Sequence, residues 1–329
     1  MIKRFIDVCQ SEKIFSHKKI VVAVSGGADS LALADLLFNV RQRFNLQLCI
    51  AHYEHGLRGQ DSLDDEAFVE KFADNLKLKF FCEHGDVKNF AVENKLSIET
   101  AARKLRYDFL GRVMRESNFD AIALAHHADD QAETILMRLM RGATSTGLSA
   151  MKFVSDFHDG LLLRPLLRFK KFELENYCAS RKIIPRIDKT NFETDMTRNK
   201  IRLELLPALE KFNPNIVDTL CRLGEISAEE SNFIDKETDK IFHNVVTNQK
   251  GILRTEFLKL HTALQRAVIK KFLSEVCGVK DFGFVHFEAV RKVLVNNLSG
   301  VELPNKFRAD LKRGILTIRK NLQVNTERI

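Results

Sequence analysis

The sequence predicts an α/β protein: a doubly wound parallel sheet of the Rossmann-like kind, followed by a smaller, mainly helical C-terminal domain. Three observations carry this. Short β-branched runs alternate with leucine-rich helical patterns over the first two thirds of the chain, as successive βαβ units require. A glycine pair, in Ser25-Gly26-Gly27-Ala28-Asp29-Ser30, stands between the first such run and the first long helical pattern. After Pro214 the strand signals fade and long helical patterns take over. The predicted domains are therefore 1–213 and 214–329, with the boundary near Lys211 to Pro214.

Each element has its own signal. Ile20 to Val24 is short, apolar and β-branched, as a strand buried on both faces should be. The pattern after the glycine pair predicts a helix to about Phe44. Leu46 to His52 reads as a second strand, about Asp61 to Leu76 as a helix, and Leu78 to Cys82 as a third strand. Ser97 is placed to cap a helix running to about Ser117, whose buried stripe should be Ile98, Ala102, Leu105, Phe109 and Val113. Asp120 to Ala125 reads as a fourth strand, and about Ala128 to Arg141 as a helix stopped by Gly142. Sheets of this kind bind ligands beyond the carboxyl ends of their strands. Past the boundary, Asn215 to His243, Glu256 to Val276 and Gly283 to Asn297 read as helices, with short strands around Ile315 to Arg319.

Composition bounds the function. The 329 residues are 45% apolar and 29% charged, which argues against a disordered or fibrous chain. Lys plus Arg number 52 against 44 acids, a formal +8 that permits nucleic acid, anionic membrane or a phosphorylated ligand without selecting one. No run approaches the ~20 apolar residues that span a bilayer. Met1 to Gln10 lacks the apolar stretch of a secretory signal, so a cytoplasmic protein without membrane partners is expected. The cysteines, Cys9, Cys49, Cys82, Cys178, Cys221 and Cys277, form no CxxC pair. Their spacing argues against a zinc site, a redox pair and a disulfide framework, and they are expected as small buried groups.

The 25–30 turn has the chemistry of a phosphate cradle. Two glycines let backbone N–H groups approach an anion, the next helix points its positive end there, and Ser25 and Ser30 add hydroxyls. Neither GxxxxGK[ST] nor GxGxxG is present in it. Asp29 would repel phosphate, and a bound Mg²⁺ resolves that conflict with Asp29 as ligand. A second cluster follows the fourth strand. His126 and His127 precede Asp129, Asp130 and Glu133, whose three- and four-residue spacings allow one helical face. Acids in a first turn suit the helix dipole, but adjacent acids beside adjacent histidines exceed what capping needs. Asp130 is the candidate for Mg²⁺ or a substrate amine, while either histidine could equally be a packed ring. Arg103 and Arg106 lie opposite the stripe of their helix or at its edge, suited to solvent or an anion. Arg198 and Arg202, four apart, could face a phosphate or water.

Ser-Gly-Gly-x-Asp-Ser after a first strand resembles the signature of the PP-loop ATP pyrophosphatases, which cleave ATP to an adenylated intermediate and pyrophosphate. That alone leaves open amide-forming synthetases, GMP synthetase, tRNA thiolases and tRNA(Ile)-lysidine synthases. Three further blocks, in order, resemble the last of these: Ala51-His52-Tyr53-Glu54-His55-Gly56-Leu57-Arg58-Gly59, the stretch Glu99 to Leu110 (ETAARKLRYDFL), and Ala125-His126-His127-Ala128-Asp129-Asp130-Gln131-Ala132-Glu133-Thr134. A weaker fourth is Asp188-Lys189-Thr190-Asn191 with Arg198-Asn199-Lys200-Ile201-Arg202, where Thr190 stands in place of a common serine. Tyr53-Glu54 is also a less usual filling of its block. The likeness covers about 20–210.

The resemblance implies ATP and Mg²⁺, free L-lysine and a CAU-anticodon tRNA(Ile) as reactants and partners; it does not speak to oligomeric state. It assigns Ser25, Gly26, Gly27, Ala28, Asp29, Ser30, His52, Arg103 and His126 to ATP, and Asp29 and Asp130 to the metal. It assigns Asp130 and Glu133 to lysine, and Asp29, Asp129, Asp130 and Arg103 to catalysis. Arg198 and Arg202 are expected to meet tRNA. So are Lys312 and Arg313, since Pro304 to Ile329 holds seven basic residues against two acids. A thiolase would need catalytic or cluster-binding cysteines, against which the scattered cysteines count. A non-catalytic tRNA-binding protein would not need Asp29, Asp129 and Asp130 intact.

Overall fold

A computed structural model describes the chain except residues 57–59, 144, 150, 187–195, 248–249, 279–281 and 321–329. The chain divides into two compact units, Met1–Ala143 with Gly147–Glu225, and Ile226 onward with Thr144–Thr146. This division falls inside a continuous helix, Ile216–Val245, and not at Pro214, because Val217 and Leu220 pack with Ala128, Ala132 and Ile135 of the first unit.

The first unit opens with α1 (Ile2–Ser11), β1 (Lys19–Ala23), α2 (Ala28–Phe44), β2 (Gln47–Glu54), α3 (Gln60–Asn75) and β3 (Lys79–His84). There follow α4 (Val87–Asn94), α5 (Ile98–Glu116), β4 (Ala121–Ala123), α6 (Ala128–Met140), α7 (Ser145–Leu148), the hairpin β5 (Val154–Phe157) and β6 (Gly160–Leu163), and α8 (Lys171–Ser180). The unit ends with α9 (Met196–Lys200), a π-helical turn over Ile201–Leu205, α10 (Leu206–Phe212) and the start of α11 (Ile216–Val245). The strands form one sheet in the order β3-β2-β1-β4-β6-β5, parallel throughout except for the edge strand β5. The four predicted strands are all present, and β1 is central as its β-branched sequence requires.

Helices cover both faces. Leu31, Leu33, Leu36, Leu37 and Val40 of α2 are buried with Ile20, Val22, Leu48 and Ile50 on one side. Phe109, Leu110, Val113 and Met114 of α5 pack on Val21, Cys49 and Ile122 on the other. The predicted α5 stripe is shifted in its first turns. Ile98 is exposed, and Ala101, not Ala102, is fully buried, because that end leans on Val87 and Ala91 of α4 rather than on the sheet. Asp35, the acid buried within α2, accepts from Tyr177 Oη at 2.6 Å and Arg181 Nε at 3.1 Å, so its charge is paired.

The order places β2 on one side of β1 and β4 on the other. The chain therefore reverses its direction of winding between β1 and β4, and the crevice beyond their carboxyl ends is where such sheets bind ligands. The 25–30 turn leaves β1 there, and the 126–130 segment follows β4.

The second unit takes the rest of α11, then β7 (Gly251–Leu253), α12 (Arg254–Leu258), α13 (Thr262–Cys277), α14 (Phe284–Asn296), β8 (Gly300–Leu303), β9 (Phe307–Lys312) and β10 (Ile315–Lys320). It is mainly helical, as expected, but carries a four-stranded antiparallel sheet of which the sequence shows one strand. Phe257, Ile269, Phe272, Leu294, Ala309 and Leu316 form its core. The helix predicted over 256–276 is two: His261 interrupts it and caps α13, its Nδ1 accepting Ala263 N–H at 3.2 Å.

Candidate active site

The cradle is shaped by its own side chains. Gly26 has φ +89°, a conformation that L-residues resist, although a Cβ there would meet nothing closer than Val69 at 3.6 Å. Gly27 caps α2, so the first N–H groups of that helix open onto the turn. Ser30 Oγ donates to Gly27 O at 3.0 Å and accepts Ser25 N–H at 3.1 Å. Because the Ser30 proton is used, Ser25 Oγ donates to Ser30 Oγ at 3.2 Å. The two hydroxyls expected to face an anion thus brace the loop, which leaves the backbone N–H groups to meet it.

Beside the cradle, His127 sits inside a ring of acids. Its Nε2 lies 3.6 Å from Asp29 Oδ2 and 3.4 Å from Asp130 Oδ2, and its Nδ1 lies 3.3 Å from Asp129 Oδ2. Burial alone would disfavour the imidazolium. Asp130 first, then Asp129 and Asp29, outweigh burial and hold its pKa up to about 9. His127 is therefore a buried cation at neutral pH. Burial also pushes the Asp29 carboxyl up, against the pull of His127, whereas Asp129 and Asp130 are held below the usual carboxylate range despite burial: Asp129 chiefly by His127 and Lys171 N–H, Asp130 chiefly by His127. Asp130 Oδ2 also accepts His127 N–H at 3.0 Å and anchors the start of α6.

Asp29 Oδ1 is sealed from solvent and has no protein partner. An unpaired buried carboxylate oxygen is costly. Next to a phosphate cradle this unpartnered hard oxygen fits Mg²⁺, and Asp130, whose oxygens meet His127 N–H and Arg198, would have to release one of them to join it.

Arg198 and Arg202, which the sequence assigned to tRNA, converge on the acids of α6. Arg198 Nε donates to Glu133 Oε2 at 2.7 Å and its Nη2 to Asp130 Oδ1 at 3.1 Å. Arg202 donates to Glu133 through Nε at 2.6 Å and Nη2 at 3.1 Å. Glu133 is 1% exposed and both its oxygens are occupied. Glu133 does not stand open to a ligand in this arrangement, whereas the two guanidiniums remain about a third exposed.

A second cationic group flanks His126. Arg103 is exposed and donates to Tyr107 Oη at 3.2 Å. Arg106 and Arg164 each keep a buried Nε without a partner. Arg164 also donates through Nη1 to Lys152 O and Ser155 Oγ, both at 2.9 Å. Among the described residues none of the three meets a carboxylate. Burial first, then Arg164, Arg106 and Arg103, hold His126 neutral, with Asp130 opposing them, and its Nδ1 is unpartnered. Such a pocket attracts an anion. Arg164 was missed in the sequence because it belongs to none of the four blocks; a lone arginine after a Leu161-Leu162-Leu163 strand is the signal that was there.

His52 donates through Nδ1 to Val24 O at 2.8 Å, which fixes the last residue before the cradle. Its Nε2 is buried, bare and unpartnered, and burial holds the ring neutral against the pull of nearby acids. Residues 57–59 and 188–191 of the family blocks lie outside the described residues. Lys312 and Arg313 stand apart in the second unit, exposed at the β9–β10 turn, where Arg313 and Gly314 both have positive φ.

Comparison with known proteins identifies the family. The PP-loop domain family matches residues 2–209. The tRNA(Ile)-lysidine synthase of Clostridium acetobutylicum is 36% identical over 315 residues, which covers 94% of this chain and 68% of that protein. Its counterpart in Clostridium perfringens is 39% identical over 295 residues, covering 88% and 62%. Among solved structures, the U34-tRNA thiolase NcsA from Methanococcus maripaludis with its 4Fe-4S cluster superimposes with a TM-score of 0.58 at 20% identity, over 69% of this chain and 78% of that one. At that identity the likeness is one of fold alone. No described helix is long and apolar enough to cross a membrane.

Proposed function

Since the chain belongs to the PP-loop ATP-binding family and, within it, to the tRNA(Ile)-lysidine synthases, we propose that it ligates lysine to the wobble cytidine of a CAU-anticodon tRNA(Ile). The observation that carries this reading is the pairing of a braced phosphate cradle with Asp29, whose buried oxygen has no protein partner.

In the first step the oxygen on carbon 2 of the cytidine attacks the α-phosphorus of ATP, the bond to the β-phosphate oxygen breaks, and pyrophosphate leaves. The backbone N–H groups of 26–30 receive the phosphates. Asp29 and Asp130 would hold Mg²⁺, which when bound offsets triphosphate charge. Arg103, Arg106 and Arg164, with no acid to neutralise them among the described residues, stabilise negative charge on the reacting phosphates. In the second step the unprotonated ε-amine of lysine attacks carbon 2, the carbon–oxygen bond breaks, AMP departs with that oxygen, and the nitrogen of the new carbon–nitrogen bond is left neutral as it gives up a proton to solvent.

The acids differ in role. Asp129 and Asp130 hold protons weakly and so suit the binding of ammonium charge. His127 carries its proton up to about 9 and does not serve as a base at neutral pH. For lysine to reach Glu133, Arg198 or Arg202 must yield a carboxylate oxygen. Those arginines would then couple lysine entry to the 196–205 segment, besides meeting tRNA.

Incubation with ATP, lysine and unmodified tRNA(Ile), followed by nucleoside analysis, should yield lysidine, with ornithine and arginine poor substitutes. Sulfur incorporation, or no modification with all three reactants present, would overturn the assignment.

A further inference from the structure

The parallel register of β2 and β3 pairs His52 with Cys82 and Glu54 with His84. Neighbours in a parallel pair face the same side, and residues two apart along a strand do too. Four potential metal ligands thus share one face of the sheet at its edge. Glu66 of α3 lies over that face. Its Oε2 is 3.1 Å from His84 Nε2. One ligand atom each from Glu66, Cys82 and His84 lies within 4.8 Å of the others. On the far side of the ring, Glu54 Oε2 lies 3.8 Å from His84 Nδ1, while also accepting Gly56 N–H at 2.7 Å.

We propose that Glu66, Cys82 and His84 form a binding site for a divalent zinc-class cation, with the exposed side of His84 leaving a fourth position for water. Thiolate, imidazole and carboxylate together are a borderline-soft donor set that suits Zn²⁺ and Co²⁺ rather than Mg²⁺ or Ca²⁺. Glu54 stands where an outer carboxylate orients a ligating imidazole through its other nitrogen. The charge balance agrees. Neither Glu54 nor Glu66 meets a lysine or arginine among the described residues, so two carboxylates converge on a thiol and an imidazole with no fixed cation. In the metal-free protein burial, followed by the nearby Glu66, pushes the Cys82 thiol up, so that it keeps its S–H bond. Binding replaces that S–H bond with a metal–sulfur bond and releases one proton. The cysteine spacing argued against zinc because the ligands are not close in sequence; strand register and the packing of α3 assemble them. The site would tie α3 to the edge strand.

The full chain, freed of metal, should be titrated with Zn²⁺ against a chromophoric chelator in excess Mg²⁺, so that the hard-oxygen site is already occupied. One equivalent should bind, the unfolding midpoint should rise, and Co²⁺ should give a thiolate charge-transfer band. Cys82→Ser should remove that band. His84→Gln, at a half-exposed position that does not threaten the core, should weaken Zn²⁺ by at least about tenfold and lose the shift in midpoint. Circular dichroism of the metal-free variants establishes that both are folded. No bound Zn²⁺ in the wild-type chain, or equal affinity in the folded variants, overturns the site.

Discussion

In the proposed reaction, Asp29 is the residue on which the first step turns. It lies beside a cradle made for anions, yet keeps a buried oxygen that no protein group uses. Asp29→Ala should lower tRNA-dependent pyrophosphate release by at least about 10²-fold, the scale on which loss of a charge-stabilising group slows a reaction. It should leave the far-ultraviolet circular dichroism unchanged, because the side chain contributes nothing to the apolar core. Near-normal release would remove Asp29 from the mechanism. His127 makes a separate, pH-dependent claim. Its folded pKa, about 9, lies above its ordinary 6.5, so its contribution to stability is complete below about 6.5 and is lost as pH rises through about 9. Urea unfolding of the wild-type chain across that window should show the decline, and His127→Gln should flatten it. An equally steep decline in the variant would assign it to another group.

At the scale of elements, the junction of α6 with the 196–205 segment is held chiefly by the buried Glu133 carboxylate between two guanidiniums, with Asp130 beside it. Glu133→Ala leaves both arginines partly buried beside Asp130 alone. Breaking a buried pair in this way costs about 3 kcal/mol, reduced here because the arginine side chains are about a third exposed. Denaturant titration should show a loss of ~1–3 kcal/mol. Arg202→Met should cost less, since Arg198 still meets Glu133. Equal stabilities for all three proteins would mean that the triad contributes nothing to the fold. The cradle is a second element-scale case. Gly26→Ala has room for its methyl group, so its penalty is conformational, ~1–2 kcal/mol for an L-residue at φ +89°. If the loop relaxes to a negative φ, its N–H groups turn away and ATP affinity should fall in equilibrium binding; unchanged affinity would show that the loop geometry is not what binds phosphate.

For the whole molecule, the question is where a tRNA is gripped. The seven basic residues near the C-terminus are not equally available. Arg308 is spent on Glu302 and Asp310, and Arg319 on Asp310 at 2.6 Å. Lys312 and Arg313 at the hairpin tip have no such partner among the described residues. Each phosphate that a variant no longer neutralises makes the dependence of tRNA affinity on salt shallower by about one unit of logarithmic slope. Lys312→Glu with Arg313→Glu, in the full chain, should weaken tRNA binding and lower the slope by up to about 2. ATP affinity should stay the same. An unchanged slope would place the phosphate contacts elsewhere.

The parallel sheet, its central β-branched strand and the phosphate cradle are all legible in the amino-acid order, because they rest on local physics: β-branched burial, helix caps and the φ that glycine tolerates. So are the positions of Asp29, Asp129 and Asp130. The elements β5, β6 and α8 are not, since their patterns are short and interrupted. Nor are the three unseen strands of the second sheet, each too brief to outweigh its neighbours. What the side chains do emerges only on packing. Ser25 and Ser30 turn inward because their hydroxyl protons find acceptors within the loop. Arg198 and Arg202 turn to Glu133 because a buried carboxylate must be paired. His127 becomes a cation because three acids from two segments enclose it, and Arg164 joins Arg106 beside His126 although they are distant in sequence. Charge, burial and pairing depend on which groups meet in space, and sheet order settles that.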